Sequence, residues 1–348
     1  MLSYKRQARG RRGLRALLSP KAIISAVIGL IVLALLLGFS DAREVFRIMR
    51  GFPPLLIPVI FALFVGREVF RFLQWGLFLN AIGIKATRKQ AFLTLMGGDA
   101  AQVVPGGLYF QDVLAMREFD VSFSQVLGAT LLIIWLETMV CFFALAILGL
   151  PGTPLLSPIM AVCGVGSLVA MLGLRSRVPE RLQGWLHRRE EAARQRWQGY
   201  PGQLICKLLG GIDEVVGSLR SLARPWVLFV GLVLSVAYIT LTIFGFYLIC
   251  VGLGLSATIS PGDVAAIYSL TLVAVVINPS PIDIGVAELA GVGSFLLFGA
   301  PAAAGLAAML TLRVLMTMTE EVMAALAFLF SRKEVQRLFR SQKVEASD

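Results

Sequence analysis

The sequence predicts an all-α polytopic membrane protein, with six full transmembrane helices and two re-entrant broken-helix pairs in an inverted-topology repeat. Three observations predict it. The 348 residues are 57% hydrophobic and only 15% charged, where a soluble domain carries about a quarter charged residues. Apolar runs long enough to cross a bilayer, about 20 residues, recur along the chain. Two further apolar stretches are broken by proline in the middle and carry acids beyond the break. Alternating segments of about ten residues, the mark of a transmembrane barrel, are missing from the pattern.

The elements follow in order. Residues 1–21 form a basic N-terminus with Lys5, Arg6, Arg9, Arg11, Arg12, Arg15 and Lys21 and no acid. Residues 22–40, "AIISAVIGLIVLALLLGFS", follow as an uncleaved first span whose N-terminal side is cytoplasmic, because basic flanks stay inside. A single membrane domain then extends from 22 to 330, with a first half over 22–174, a cytoplasmic loop over 175–224 and a second half over 225–330. The second span starts near Pro54 and ends near Asn80. Spans at 125–150 and 155–174 are joined by the uncharged "PGTP", an outside link. Residues 175–224 hold ten Lys/Arg against five Asp/Glu. Their "RLQGWLHRREEAARQRW" suits either a helix on the inner leaflet or a solvated loop helix. Spans at 225–252 and 303–330 complete the set, and the basic tail 331–348 is cytoplasmic.

The formal charge of +11 sits beside the spans. Anionic lipid and the positive-inside rule account for it better than nucleic acid does. Cys141, Cys163, Cys206 and Cys250 form no CxxC pair, and His187, the sole histidine, lies in the charged loop. The sequence therefore calls for no metal site and no cofactor.

Regions 88–117 and 263–299 must each begin and end on one side for the charges to agree. The first is broken at "VVPGG", with Pro105, Gly106 and Gly107. The second is broken at "NPSP", with Asn278 and Pro281, inside "VVINPSPIDIGVAE". Proline lacks an N–H and cannot continue the helical ladder. In lipid the freed backbone groups must be buried in protein or line a wet cavity. The two copies share offsets. Asp112 lies seven residues after Pro105 and Glu288 seven after Pro281. Glu137 and Arg313 lie thirty-two after the same prolines. One copy enters from inside and the other from outside, the pattern that puts transporter sites at the midplane.

Charged residues within spans mark candidate substrate-binding positions. Each costs roughly 3 kcal/mol against lipid on insertion scales. Glu137 and Arg313 lie near mid-span. Arg67 and Arg71 share a helix face, as do Arg313, Thr317 and Glu320. Arginine fits phosphate through its planar fork. Glu137 reads equally as half of a structural ion pair. Asp99 is a cap or a gate residue, and Asp112 and Arg117 are placed near the cytoplasmic mouth. Asp283 stands just beyond the second break.

These residues resemble the integral-membrane region of lysylphosphatidylglycerol synthases, shared with UPF0104 (YbhN-like) proteins. The likeness rests on "PGGLYFQDVLAMRE", "WLETMV", "PIDIGVAE" and Arg313, over about residues 60–330. The chain departs at Thr138, where the family often has arginine, and at Ile282-Asp283, where it usually has glycines. The resemblance implies a flippase for anionic or aminoacylated phospholipid in the bacterial inner membrane. With eighteen residues after Phe330 in this sequence, the family's soluble transferase domain is not expected here, and a separate lipid synthase would serve as partner. A homo-oligomer is a further expectation. Enzymatic activity is not expected. The rival readings are a non-catalytic membrane partner of a lipid- or glycan-synthesising enzyme and, more remotely, an intramembrane lipid-modifying enzyme.

Overall fold

A computed structural model describes residues 31–32, 34–100, 109–149, 156–176, 178–196, 200–278 and 285–330. Every regular element among them is helical. The terminal segments 1–21 and 331–348, most of the first span, and Pro105, Gly106, Gly107, Pro281 and Asp283 lie outside the described residues.

Helical residues 34–39 lead to α1 (Ala42–Arg50), a short helix with Arg43, Arg47 and Arg50 exposed and Val45 buried. Next, α2 (Leu56–Ala81) starts just after Pro53-Pro54, where missing N–H groups do no harm. A Thr87–Gln90 capping box starts α3 (Arg88–Ala100): the Thr87 N–H donates to Gln90 Oε1 at 3.1 Å, and the Gln90 N–H donates to Thr87 Oγ1 at 3.3 Å. After residues 101–108 comes α4 (Phe110–Phe119), then α5 (Phe123–Leu148), capped by Ser122 and closed by Gly149 at φ 70°. The chain continues through α6 (Leu156–Gly173), α7 (Val178–Arg196), α8 (Tyr200–Leu222) and α9 (Pro225–Gly252). Ser260 and Asp263 form the capping box of α10 (Pro261–Ile277). Beyond the second break lie α11 (Val286–Leu297) and α12 (Ala302–Phe330).

Among the described residues, four helices are long and apolar enough to cross a membrane: α5, α6, α9 and the stretch Ala302–Leu329 of α12. At 26 residues, α2 equals α5 in length, about 39 Å against a hydrocarbon core of about 30 Å. It differs in carrying Arg67, Glu68 and Arg71 in its middle. Five of the six expected segments coincide with helices to within a few residues, and most of the first, 22–40, lies outside the described residues. The segment 175–224 differs from expectation. Besides α7, which contains the Trp185 stretch, it holds a second helix, α8, that packs on α7 and along the N-terminal part of α5. Ser218 of α8 sits so close to Gly128 of α5 that a β-carbon there would meet it at 2.6 Å. Basic composition hid this helix, although its apolar residues have helical spacing.

The packing has a regular plan. Helices α2 and α9 form the most extensive pair. Phe52, Phe64 and Phe78 face Gly252, Gly245 and Gly231 in that order, so the chain beginning just before α2 runs antiparallel to α9. Glycine lets the aromatic rings seat against the backbone, the usual device where lipid supplies no hydrophobic drive between helices. Helices α3 and α4 pack on each other, as do α10 and α11. Helix α3 packs on α12, and α10 packs on α5. Each broken pair therefore touches the long helix that follows the other pair. Helix α6 stands apart from this plan. Only 11% of its apolar stretch is buried, against 61% for α12, so it is peripheral and α12 is central.

Two large apolar clusters result. One joins Ile60 and Phe64 with Cys141, Leu145, Phe246, Ile267, Phe295 and Leu312. The other joins Trp75 and Phe78 with Leu95, Leu132, Leu136, Leu228, Ala324 and Ala327. Along α2, residues 67–71 fall between the two clusters, and along α12 residue 320 does so as well.

Candidate functional site

The charged residues of α2 fall where the two apolar clusters meet. Helical spacing puts Arg67, Arg71 and Gln74 on one face, and that face meets Ser235 and Tyr238 of α9, about one turn apart. Gln74 Nε2 donates to Ser235 Oγ at 2.8 Å and to the Gly231 carbonyl at 3.1 Å. Arg71 Nη1 donates to Tyr238 Oη at 3.0 Å. The Arg67 guanidinium lies 5.2 Å from the Tyr238 ring centre and 5.4 Å from that of Phe64, and Arg71 lies 5.6 Å from Tyr238. Both arginines thus gain cation–π attraction in a site without bulk water.

Arg67 is wholly buried and serves two carboxylates. Its Nε donates to Glu68 Oε1 at 2.7 Å, and its Nη2 lies 2.5 Å from the same oxygen and 2.6 Å from Glu320 Oε1 on α12. Arg71 interacts electrostatically with Tyr238, Asp99 of α3, Glu137 of α5 and Glu68. Tyr268 of α10 interacts electrostatically with Tyr238, Cys141, Arg67 and Glu137. One node therefore collects polar groups from α2, α3, α5, α9, α10 and α12. Glu68, Asp99 and Glu137 are all more than nine-tenths buried.

Two smaller arrangements flank this node, and they share a design. Asp112 is the third residue of α4, and Glu288 is the third residue of α11. A carboxylate suits that position because the first turn of a helix is partly positive. Glu288 Oε2 accepts from the Gly285 N–H at 2.7 Å, and Glu288 Oε1 accepts from Arg313 Nε of α12 at 2.7 Å. Gly285 has φ 89°, a left-handed conformation that glycine adopts without strain. Asp112 Oδ1 accepts from Thr130 Oγ1 of α5 at 2.6 Å, and Thr130 accepts from Gln111 Nε2 at 2.9 Å. In both cases the half-helix acid is held by the long helix that follows it.

Of the residues singled out in the sequence, Arg67, Arg71, Asp99, Glu137 and Glu320 come together. Arg313 and Glu288 form a separate pair, and Asp112 a third group. Asp112, which the sequence places near the cytoplasmic mouth, is fully buried, because α4 turns its first residues onto α5, while Arg117 at the far end of α4 is exposed. Asn278, partly exposed, ends α10, with its N–H donating to the Ala274 and Val275 carbonyls. The face shared by Arg313 and Glu320 splits, Arg313 turning to Glu288 and Glu320 to Arg67. Tyr238, Tyr268, Gln74 and Ser235 were not anticipated. Tyr238 alone left a signal, a hydroxyl-bearing ring at the centre of the span 225–252.

No curated protein matches the chain. The family model described as the lysylphosphatidylglycerol synthase TM region matches residues 23–319, which take in α2, both broken pairs and all but the last turns of α12. The chain is a membrane protein of the lysylphosphatidylglycerol synthase TM region family.

Proposed function

We propose that the protein is a translocase that moves a phospholipid or related polar lipid between the leaflets of the bacterial inner membrane. One observation carries the reading. Charged side chains from both halves of the chain meet near the middle of the long helix α2, between two apolar clusters and beside two pairs of shorter helices. Charges in that position are costly and mark pathways more often than they mark fasteners.

The packing plan supports an inverted repeat. Among the eight helices α2–α5 and α9–α12, exchanging α2 with α9, α3 with α10, α4 with α11 and α5 with α12 turns the observed pairings into one another. The antiparallel course of the α2 and α9 segments fits halves of opposite orientation. On this reading α3–α4 dips into the membrane from the cytoplasmic side and α10–α11 from the outer side. The span 22–40, α2, α5, α6, α9 and α12 make six crossings, with α7, α8 and both termini in the cytoplasm.

The lipid headgroup then passes along the broken pairs while its tails stay in hydrocarbon. Arg313 is one-third exposed, and its partner Glu288 is buried. A lipid phosphate can replace Glu288 on the Arg313 fork, since arginine binds either oxyanion. Glu288, Glu137 and Asp283 face an ammonium or hydroxyl portion of the headgroup. Arg67, locked between two acids, fastens α2 to α12 and keeps the path in shape. This sequence of contacts replaces water at each stage and lowers the cost of carrying charge across. It needs no covalent chemistry by this chain. The lipid itself comes from a separate synthase, for which the basic α7–α8 segment offers a docking surface.

The test is a leaflet-accessibility assay in vesicles containing only this protein, with headgroup-labelled phosphatidylglycerol and an aminoacylated analogue. Faster transfer than in protein-free vesicles, lost on R313A with normal membrane insertion, is the expected result. Equal transfer with and without protein would shift the case to the docking-partner reading.

A further inference from the structure

The central node holds more acid than base. Arg67 and Arg71 are its cations, and Glu68, Asp99, Glu137 and Glu320 are its carboxyl groups. Tyr238 and Tyr268 complete the ring, and Cys141 lies one turn beyond Glu137. Fully ionised, the node would carry two uncompensated negative charges between two apolar clusters. Isolated buried charges of that kind neutralise rather than persist.

The geometry shows where neutralisation falls. Arg67 is committed to Glu68 and Glu320 at 2.5–2.7 Å. Arg71 spends Nη1 on Tyr238 and is the cation shared by Asp99 and Glu137. One guanidinium cannot balance two carboxylates. Independently of the charge count, Glu137 Oε1 is buried with no hydrogen-bond partner, and so is Arg71 Nε. An acceptor left bare in a dry site is expensive as a carboxylate oxygen and much cheaper as part of a neutral carboxyl.

We propose that this node is an exchangeable proton site, with Glu137 and Asp99 as its proton-accepting pair and Arg71 as the cation that turns between them. In each cycle a proton from one aqueous phase forms an O–H bond on Glu137 or Asp99, and that bond breaks to release the proton to the other phase. No other reactant is consumed. Loading frees Arg71 from one carboxyl, and unloading draws it back, so occupancy is tied to the contact between α2, α3 and α5. The site stands on its own geometry. Its use to drive lipid transfer rests on the translocase reading and deepens it by naming the coupled ion.

Two measurements on the full-length protein separate the two claims. The first is infrared difference spectroscopy of the protein in phosphatidylglycerol–phosphatidylethanolamine vesicles, taken between about pH 5 and about pH 9, a range over which an ordinary exposed carboxyl group stays ionised. A carbonyl band of a protonated carboxyl group that exchanges in heavy water, persists at neutral pH, and is lost in E137Q or D99N is expected. A wild-type protein without the band, or a band untouched by both variants, overturns the proposal. These variants are near-isosteric, and tryptophan fluorescence with gel filtration verifies their fold. The second measurement is leaflet transfer of labelled phosphatidylglycerol under a pH difference of about one unit. Such a difference is tenfold in proton activity, so a change of about three- to tenfold in rate is expected, lost in E137Q. Transfer indifferent to pH but driven by a sodium gradient overturns the proposal. A protonated band together with no lipid transfer under any gradient supports the site and overturns the translocase reading instead.

Discussion

Replacing Arg67 with methionine is the sharpest perturbation of the node's architecture. The guanidinium is fully buried and touches Glu68 and Glu320 through three contacts of 2.5–2.7 Å. Methionine keeps the volume and loses the charge, leaving two carboxylates facing each other in a dry setting. Removing one partner of a buried ion pair costs about 3–5 kcal/mol, roughly a hundred- to several-thousand-fold in the unfolding equilibrium. In E320Q, Arg67 keeps Glu68 and an amide oxygen, so the loss is about 1–2 kcal/mol. The double variant R67M/E320Q removes the acid that R67M strands, and its loss falls short of the sum by about 1–3 kcal/mol. The assay is denaturant unfolding of the purified protein in mixed micelles. Tryptophan fluorescence follows it, since Trp75 is buried and donates to Thr94 at 3.2 Å. An R67M stability within about 0.5 kcal/mol of wild type, or strictly additive losses, would refute the argument that Arg67 fastens α2 to α12.

Three other predictions use the same structure. In G98A a β-carbon would meet the Gln111 backbone at 2.7–2.8 Å, which no side-chain rotation relieves. The variant parts α3 from α4 and loses about 1–3 kcal/mol in the same unfolding assay. T130V strips Asp112 of its 2.6 Å donor and leaves a buried carboxyl unserved, a loss of about 1–3 kcal/mol by the same measure. R313K keeps the charge but not the planar fork. Lipid transfer in proteoliposomes falls about tenfold, while thermal stability stays near wild type.

The long helices were legible because 26–29 residues of mainly apolar sequence, with at most three charges in each, admit little else in a chain this size. The sequence expects breaks at Pro105 and Pro281, since proline cannot continue a helical ladder; both prolines lie outside the described residues, which show α3 and α10 ending before them and α4 and α11 starting after them. Helix α8 was not. Its basic neighbours made 175–224 read as a loop, and only packing against Gly128 reveals the helix as part of the body. The charged positions announced themselves by their cost in lipid, but their partners did not. Arg313 could have met Glu137, Glu288 or Glu320 on sequence grounds. The rotation of α12 decides for Glu288, and no periodicity in the chain encodes that rotation. The tyrosines and Gln74 were missed because a polar group satisfied by one neighbouring helix looks, in sequence, like an ordinary residue of an apolar span.

The account stands on two broken helix pairs that enter the membrane from opposite faces. Single cysteines at Lys85, Arg117, Ser256 and Pro301, in a chain with Cys141, Cys163, Cys206 and Cys250 replaced, test this directly. Each of those four positions is exposed at an end of one of the pairs. In sealed vesicles of known orientation, an impermeant maleimide should label K85C and R117C only from the cytoplasmic face, and S256C and P301C only from the outer face. Labelling of the two ends of either pair from opposite faces would make that pair a simple crossing and contradict the account.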